Sequence, residues 1–258
     1  MNSTTSMTIE DGVSTVSRVF QGIFERIEGW RTAIEDHVTK SAGALTRAGI
    51  DSLVETIVVP EFSRDESFTI GAGFVAAPGL IEDAPWHLAW WLGDLNTFGV
   101  GSATPSIRRL DAVEDPAAES FRDYTTLEWW RVPNETGRRH ITGPYVDYLC
   151  TDEYTLTLTE PVYRGLERIG VVGADLYVED LENVLLPDLR GVGRPTTLVN
   201  AHSRVVLSTD VHLPTGALLR LDGLPEVLRG GDPAPQHLSS GHAVVGCGDT
   251  GLALVVAR

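Results

Sequence analysis

Positive charge is scarce in this chain. Its 258 residues hold 20 lysines and arginines against 36 aspartates and glutamates, a formal net charge of -16. Nothing offsets phosphate repulsion, so nucleic acid and anionic membrane surfaces are excluded as expected partners. Cysteine is scarcer still, with only Cys150 and Cys247. They form no metal-ligand spacing, and free thiols in a reducing cytosol are the expectation, with a single bridge between them left open. Long apolar runs are missing: no stretch approaches the ~20 residues needed to cross a bilayer. The first eight residues, Met-Asn-Ser-Thr-Thr-Ser-Met-Thr, lack the basic and apolar regions of a secretion leader. A soluble, cytoplasmic protein is expected.

Common catalytic signatures are missing too. No nucleophile elbow or P-loop occurs, and Gly71-Ala72-Gly73 has no third glycine at the dinucleotide-binding spacing. The seven histidines fall at 37, 87, 140, 202, 212, 237 and 242, none paired at a ligand spacing. His140 reads as a solvated loop residue. Neither a cofactor nor a metal is expected, and an enzyme is the weaker class.

What is present reads as an α+β chain. Val13, Val16, Phe20, Ile23, Ile27, Trp30 and Ile34 alternate in steps of three and four, a heptad seam on one long helix. That seam serves equally a helix packed on its own domain or a contact between two copies. A second helix is expected over 42–57, stopped before Pro60. From Phe68 the period becomes two, giving strands over 68–77, 87–95, 107–110, 154–162 and 169–178. The segment 133–137, Pro-Asn-Glu-Thr-Gly, reads as a turn, and 179–189 as a short helix. Gly191-Val192-Gly193-Arg194-Pro195 reads as a linker. Short strands over 196–200, 204–208, 217–221, 242–246 and 251–257 then form a smaller β-rich module. The expected division is 1–60 helical, 61–190 the main sheet domain, and 191–258 the second module.

Asp175 stands out. It sits in Ile169-Gly170-Val171-Val172-Gly173-Ala174-Asp175-Leu176-Tyr177-Val178. Strand geometry puts Val171, Gly173, Asp175 and Tyr177 on one face and the apolar residues between them on the other. A mid-strand carboxylate is costly unless paired or hydrogen-bonded. Gly173 leaves room on the same face, so a cation pocket and an Asp satisfied by backbone amides are the two readings.

Three upstream blocks extend the pattern: Asp123-Tyr124-Thr125-Thr126-Leu127-Glu128-Trp129-Trp130, then Gly143-Pro144-Tyr145-Val146-Asp147, then the strand from Tyr154. In this order they resemble the Cache family of sensor domains, in its double-Cache form, over roughly residues 71–189. The resemblance implies a PAS-like antiparallel sheet, a long first helix that often meets its twin, and a place in signal transduction tethered to a signalling module. No such module is read in this sequence, so the expectation is a homodimer through the helix that reports to a separate partner. It implies a pocket lined by Trp129, Trp130, Tyr145 and Asp175, with Tyr177 and Asp147 nearby. The family's amino-acid binders grip the ligand carboxylate with an arginine two residues before the aromatic pair, and here that position is Leu127.

Losing that arginine matters, because burying a carboxylate against leucine costs several kcal/mol. The expected ligand is therefore a small cationic amine, primary, quaternary or a polyamine, held by Asp175 and boxed by aromatic rings. Asp147, Asp123 or Glu128 could add a second carboxylate. The alternatives are an amino-acid sensor with a substitute Arg122, Arg131 or Arg138, and an enzyme using Asp175 or Glu128 as base on an amine. Trp129 and Trp130 are expected on a strand, pointing oppositely, so that one lines the pocket. Trp86, Trp90 and Trp91 read as core, with Trp91 a possible pocket wall.

Overall fold

The computed structural model describes residues 7–41, 43–64, 67–98, 106–146, 151–231 and 234–258. Its first element is helix α1, Ile9–Lys40. The helix starts with a reciprocal cap: Thr8 Oγ1 accepts from Asp11 N at 3.1 Å, and Asp11 Oδ2 accepts from Thr8 N at 2.9 Å. Val16, Phe20, Ile23, Ile27 and Ile34 are at most 1% exposed and Trp30 is 8% exposed. The heptad stripe is thus consumed inside the chain's own core. Of the two readings of the seam, burial fits the helix packed on its own domain. The exposed face of α1 is polar, carrying Ser14, Arg18, Gln21, Glu25, Glu28, Thr32 and Asp36.

Helix α2 covers Arg47–Val58 and begins later than expected because Thr46 caps it, accepting from Gly49 N at 3.3 Å. A 3-10 turn at Val59–Ser63 absorbs Pro60.

The chain divides into two compact units, Phe24–Thr142 with Val146–Tyr177, and Met1–Ile23 with Gly143–Tyr145 and Val178–Arg258. The sequence-based boundaries at 60 and 190 differ from this division. The first helix contributes to both units rather than standing apart.

The larger unit is built on six strands: β1 Thr69–Ala76, β2 Leu88–Leu92, β3 Arg108–Arg109, β4 His140–Val146, β5 Tyr154–Arg164 and β6 Glu167–Tyr177. Their order is β3-β2-β1-β6-β5-β4, and the described pairs are antiparallel. β4 was not foreseen as a strand. One face of the sheet is an apolar core, with Phe74, Leu156, Leu158, Val172, Ala174 and Leu176 all fully buried. Burying side chains of this size stabilises by about 1.5–3 kcal/mol each. On that side Arg31 Nε pairs with Glu160 at 3.2 Å, and Tyr163 N donates to Glu35 Oε1 at 2.9 Å, tying α1 to β5. The opposite face carries Asp175 and is described below.

Helix α3, Glu128–Thr136, packs on β5 and β6. It overturns two expectations. Trp129 and Trp130 lie on a helix, and 133–136 continues it instead of turning. Pro133 has no N–H to give the carbonyl four residues back, that of Trp129. Thr159 Oγ1 on β5 donates to that carbonyl at 2.8 Å. The helix closes at Gly137, in the left-handed region at φ 69°, whose N–H donates to Pro133 O at 2.8 Å.

The smaller unit holds helix α4, Val178–Gly191, and strands β7 Thr196–Val199, β8 Val205–Ser208, β9 Gln236–His237, β10 Ala243–Gly246 and β11 Ala253–Val256, ordered β8-β7-β11-β10-β9. Helix α5, Leu224–Gly230, covers it, with Leu224 in a core of Val199, Leu238, Val244 and Val255. The strand expected over 217–221 is reduced to one bridge, Arg204 with Leu218. Cys247 is a free, buried thiol pushed up to about 12 by burial. Cys150 lies outside the described residues.

Candidate functional site

Strand register assembles the site. Thr157, Asp175, Gly71, Leu92 and Arg108 are successive cross-strand partners on β5, β6, β1, β2 and β3. The next row is Thr159, Gly173, Gly73 and Trp90. Directly paired residues share a face, so Asp175, Trp90 and Arg108 project to the same side of the sheet.

Asp175 is 3% exposed, and its Oδ1 accepts the Thr157 hydroxyl at 2.6 Å. This contact holds the carboxylate in one orientation. Gly71 sits beside it. A Cβ there would lie 2.8 Å from Trp90 Nε1 and 3.3 Å from Asp175 Oδ2, so the glycine is what lets indole and carboxylate converge. Gly173, expected to leave open room, does something else: a Cβ there would lie 2.3 Å from Leu158 O. It permits close approach of β5 instead of a ligand.

Trp90 is the site residue that sequence reasoning missed. It is 6% exposed, and Nε1 is buried without a hydrogen-bond partner. Indole N–H is only a donor, and leaving it unpaired in the interior costs about 1–3 kcal/mol. Trp130 Nε1 and the Tyr177 hydroxyl are likewise buried and unpartnered. No local sequence signal marks Trp90: its place comes from pairing with Gly73, one row from Asp175. Trp91 faces the other way, beneath Arg109, whose guanidinium carbon is 6.0 Å from its ring.

The aromatic residues of α3 frame this side. Trp129 is buried and stacks on Tyr124 at 6.4 Å, while the half-buried Trp130 lies tilted to Tyr124 at 6.1 Å. The Tyr124 hydroxyl donates to Ala76 O at 2.7 Å, and burial together with the charges of Glu114 and Asp123 pushes its pKa up. Leu127 is half-buried and forms the uncapped start of α3. Tyr145 is half-buried on β4, in the short segment that groups with the smaller unit. Asp147 lies outside the described residues.

The proposed second carboxylates are engaged elsewhere. Glu128 Oε1 meets His140 Nε2 at 2.8 Å, which makes His140 a strand residue with a partner. Asp123 accepts from Thr125 N and Oγ1 in a local turn. Arg122, Arg131 and Arg138 are all exposed; Arg131 pairs with Glu135 at 2.8 Å, and Arg122 donates to Glu119 O and Phe121 O.

A second polar cluster lies at His87, which is fully buried. Its Nδ1 meets Glu114 Oε1 at 2.8 Å and its Nε2 meets Asp51 Oδ1 at 2.9 Å. Arg109 Nε reaches Asp51 at 3.2 Å, and Arg47 pairs with Glu114. Burial alone would raise Glu114, but the His87 hydrogen bond and charge, with Arg47, hold it below the usual carboxylate range. This compensated network joins α2, β2 and β3 and reads as structural. Among the described residues, no group of three or more His, Cys, Asp or Glu is arranged to hold a metal.

Residues 104–183 match the profile of the first PDC sensor domain of methyl-accepting chemotaxis protein-like receptors. This chain has a PDC, Cache-like fold. Solved structures agree over nearly its whole length. The ligand-binding domain of the Pseudomonas fluorescens chemoreceptor CtaA, in complex with L-leucine, superposes with a TM-score of 0.57 at 16% identity, covering 96% of this chain and 89% of that one. The ligand-binding domain of the Pseudomonas aeruginosa amino-acid chemoreceptor PctC, in complex with GABA, gives 0.53 at 19% identity, covering 95% and 94%. The extracellular domain of the putative histidine kinase soHK1S-Z6 gives 0.59 at 14%, covering 95% and 88%. No curated protein matches the chain. No helix among the described residues is long and apolar enough to cross a membrane.

Proposed function

We propose that this chain is the sensing part of a signalling protein, and that it binds a free amino acid with the ammonium at Asp175 and the carboxylate toward the Trp90 indole. One observation carries the choice between amino acid and amine. Trp90 Nε1 is a buried donor without an acceptor, converging with Asp175 Oδ2 over Gly71. A bare cationic amine would answer Asp175 and leave the indole N–H idle. A zwitterion supplies both the cation and the acceptor. The similar folds of receptor domains in complex with L-leucine and GABA support the same ligand class.

The test is a thermal-shift screen of the standard amino acids and GABA beside their decarboxylated amines. A ligand at a hundredfold its Kd stabilises by about 2.7 kcal/mol, a shift of a few degrees. Stabilisation by an amino acid over its amine, abolished in Asp175→Ala, is the expected result. Stabilisation by amines alone would overturn the zwitterion reading, and turnover of the bound compound by mass spectrometry would replace it with an enzyme.

A further inference from the structure

The family's arginine position is Leu127, so a zwitterion needs its carboxylate neutralised from elsewhere. We propose that Arg108 supplies that charge, a specificity assignment that rests on the amino-acid reading above. Arg108 is half-buried on the two-residue strand β3 and is the direct partner of Leu92, which pairs with Gly71, which pairs with Asp175. One cross-strand row therefore carries a guanidinium toward one end and a carboxylate toward the other. Only Leu92 and a glycine stand between them. The row has the polarity of a zwitterion.

The contacts of Arg108 set it apart from its neighbour. Arg109, on the other face, is spent on Asp51 at 3.2 Å and Glu114 at 3.7 Å. Among the described residues Arg108 meets neutral oxygens: Nη1 donates to Asn96 O and Ser106 O at 3.3 Å each, and Nη2 to Asn96 Oδ1 at 3.3 Å and Phe98 O at 2.6 Å. Those carbonyls steady the group without cancelling its charge. Among the described residues, no carboxylate pairs with it.

The span is right for a small ligand. Three strand spacings separate the two Cα atoms, roughly 14 Å. An α-amino acid with a hydrogen bond at each end spans about 9 Å and a short ω-amino acid about 12 Å. Side chains rise from the face of the sheet, and a partial lean of the long arginine toward Asp175 closes the difference from about 14 Å. An α-amino acid and a short ω-amino acid both fit, and Trp90 Nε1 lies between the two charges as a third contact.

A purely structural arginine, tying down residues 96–98, would make the same carbonyl contacts. The experiment must therefore read selectivity and not only affinity. Calorimetric titration of the full chain is run with the best amino acid from the screen (L-leucine or GABA if they bind) and with its decarboxylated amine, 3-methylbutylamine or propylamine. Arg108→Gln is expected to weaken the amino acid by about 10- to 100-fold, as loss of a charge-assisted pair does, and to leave the amine within about twofold. Arg108→Lys should recover part of the loss, since it restores the charge without the fork. An unchanged ratio of amino-acid to amine affinity in a folded Arg108→Gln protein overturns the assignment while leaving the amino-acid reading intact. A wild-type chain that binds no amino acid overturns both.

Discussion

Thr157 and Asp175 stand directly opposite one another on β5 and β6, and the threonine hydroxyl donates to Asp175 Oδ1 at 2.6 Å. The pair is buried, so the hydroxyl answers a carboxyl oxygen that little water reaches. Thr157→Val keeps the shape and removes the donor. A hydrogen bond to a charged group contributes about 1.5–3 kcal/mol, and the variant should lose stability by that order in urea denaturation. An unmoved midpoint would show that Asp175 does not depend on this contact.

Gly71 admits no side chain without cost. A Cβ would press on Trp90 Nε1 at 2.8 Å and on Asp175 Oδ2 at 3.3 Å. Gly71→Ala should cost about 1–3 kcal/mol through overpacking and should abolish amino-acid stabilisation in the thermal-shift assay. A folded variant that binds as tightly as the wild type would place the ligand elsewhere on the sheet.

Trp90→Phe separates the indole N–H from the ring. The unpartnered donor disappears while most of the buried aromatic surface stays. The ligand-free protein should hold or gain stability, by up to about 1 kcal/mol, and amino-acid affinity should fall roughly tenfold. A ligand-free protein that loses several kcal/mol would mean that the N–H has an unseen partner.

Glu114 gives the fold an acid limit. Its folded pKa lies below the ordinary 4.5, so its contribution is present above that value and is lost as pH falls through the folded one. Glu114→Gln should destabilise the protein by a few kcal/mol at pH 7, because His87 and Arg47 lose a charged partner. It should also flatten the decline in stability between about pH 5 and pH 3. Parallel wild-type and variant pH profiles would exclude Glu114 from the acid transition.

The Asp175 strand was legible because alternation over ten residues leaves little freedom: the carboxylate, the glycine and Tyr177 had to share a face. The helix bearing Trp129 and Trp130 was not legible. Its tryptophans favour strands, its first residue follows an uncapped leucine, and its interior proline reads as a stop. What holds it is a hydroxyl on another strand, Thr159, supplying the bond that Pro133 cannot. Arg108 was invisible for a similar reason. β3 is two residues long, and its register with Leu92 is a fact of pairing, not of local sequence. The stripe on α1 was read correctly as a helix face, but periodicity does not say whether a face meets its own chain or another. Burial of Val16, Phe20 and Ile34 answers for its own chain.

β6 ends at Tyr177 and α4 begins at Val178, with no residue between them. Asp175 is therefore joined to the next helix by a segment without slack. A loop would absorb a small displacement of the carboxylate by rotating its own dihedrals. Here strand and helix share a junction, and only Leu176 and Tyr177 stand between Asp175 and the first residue of α4.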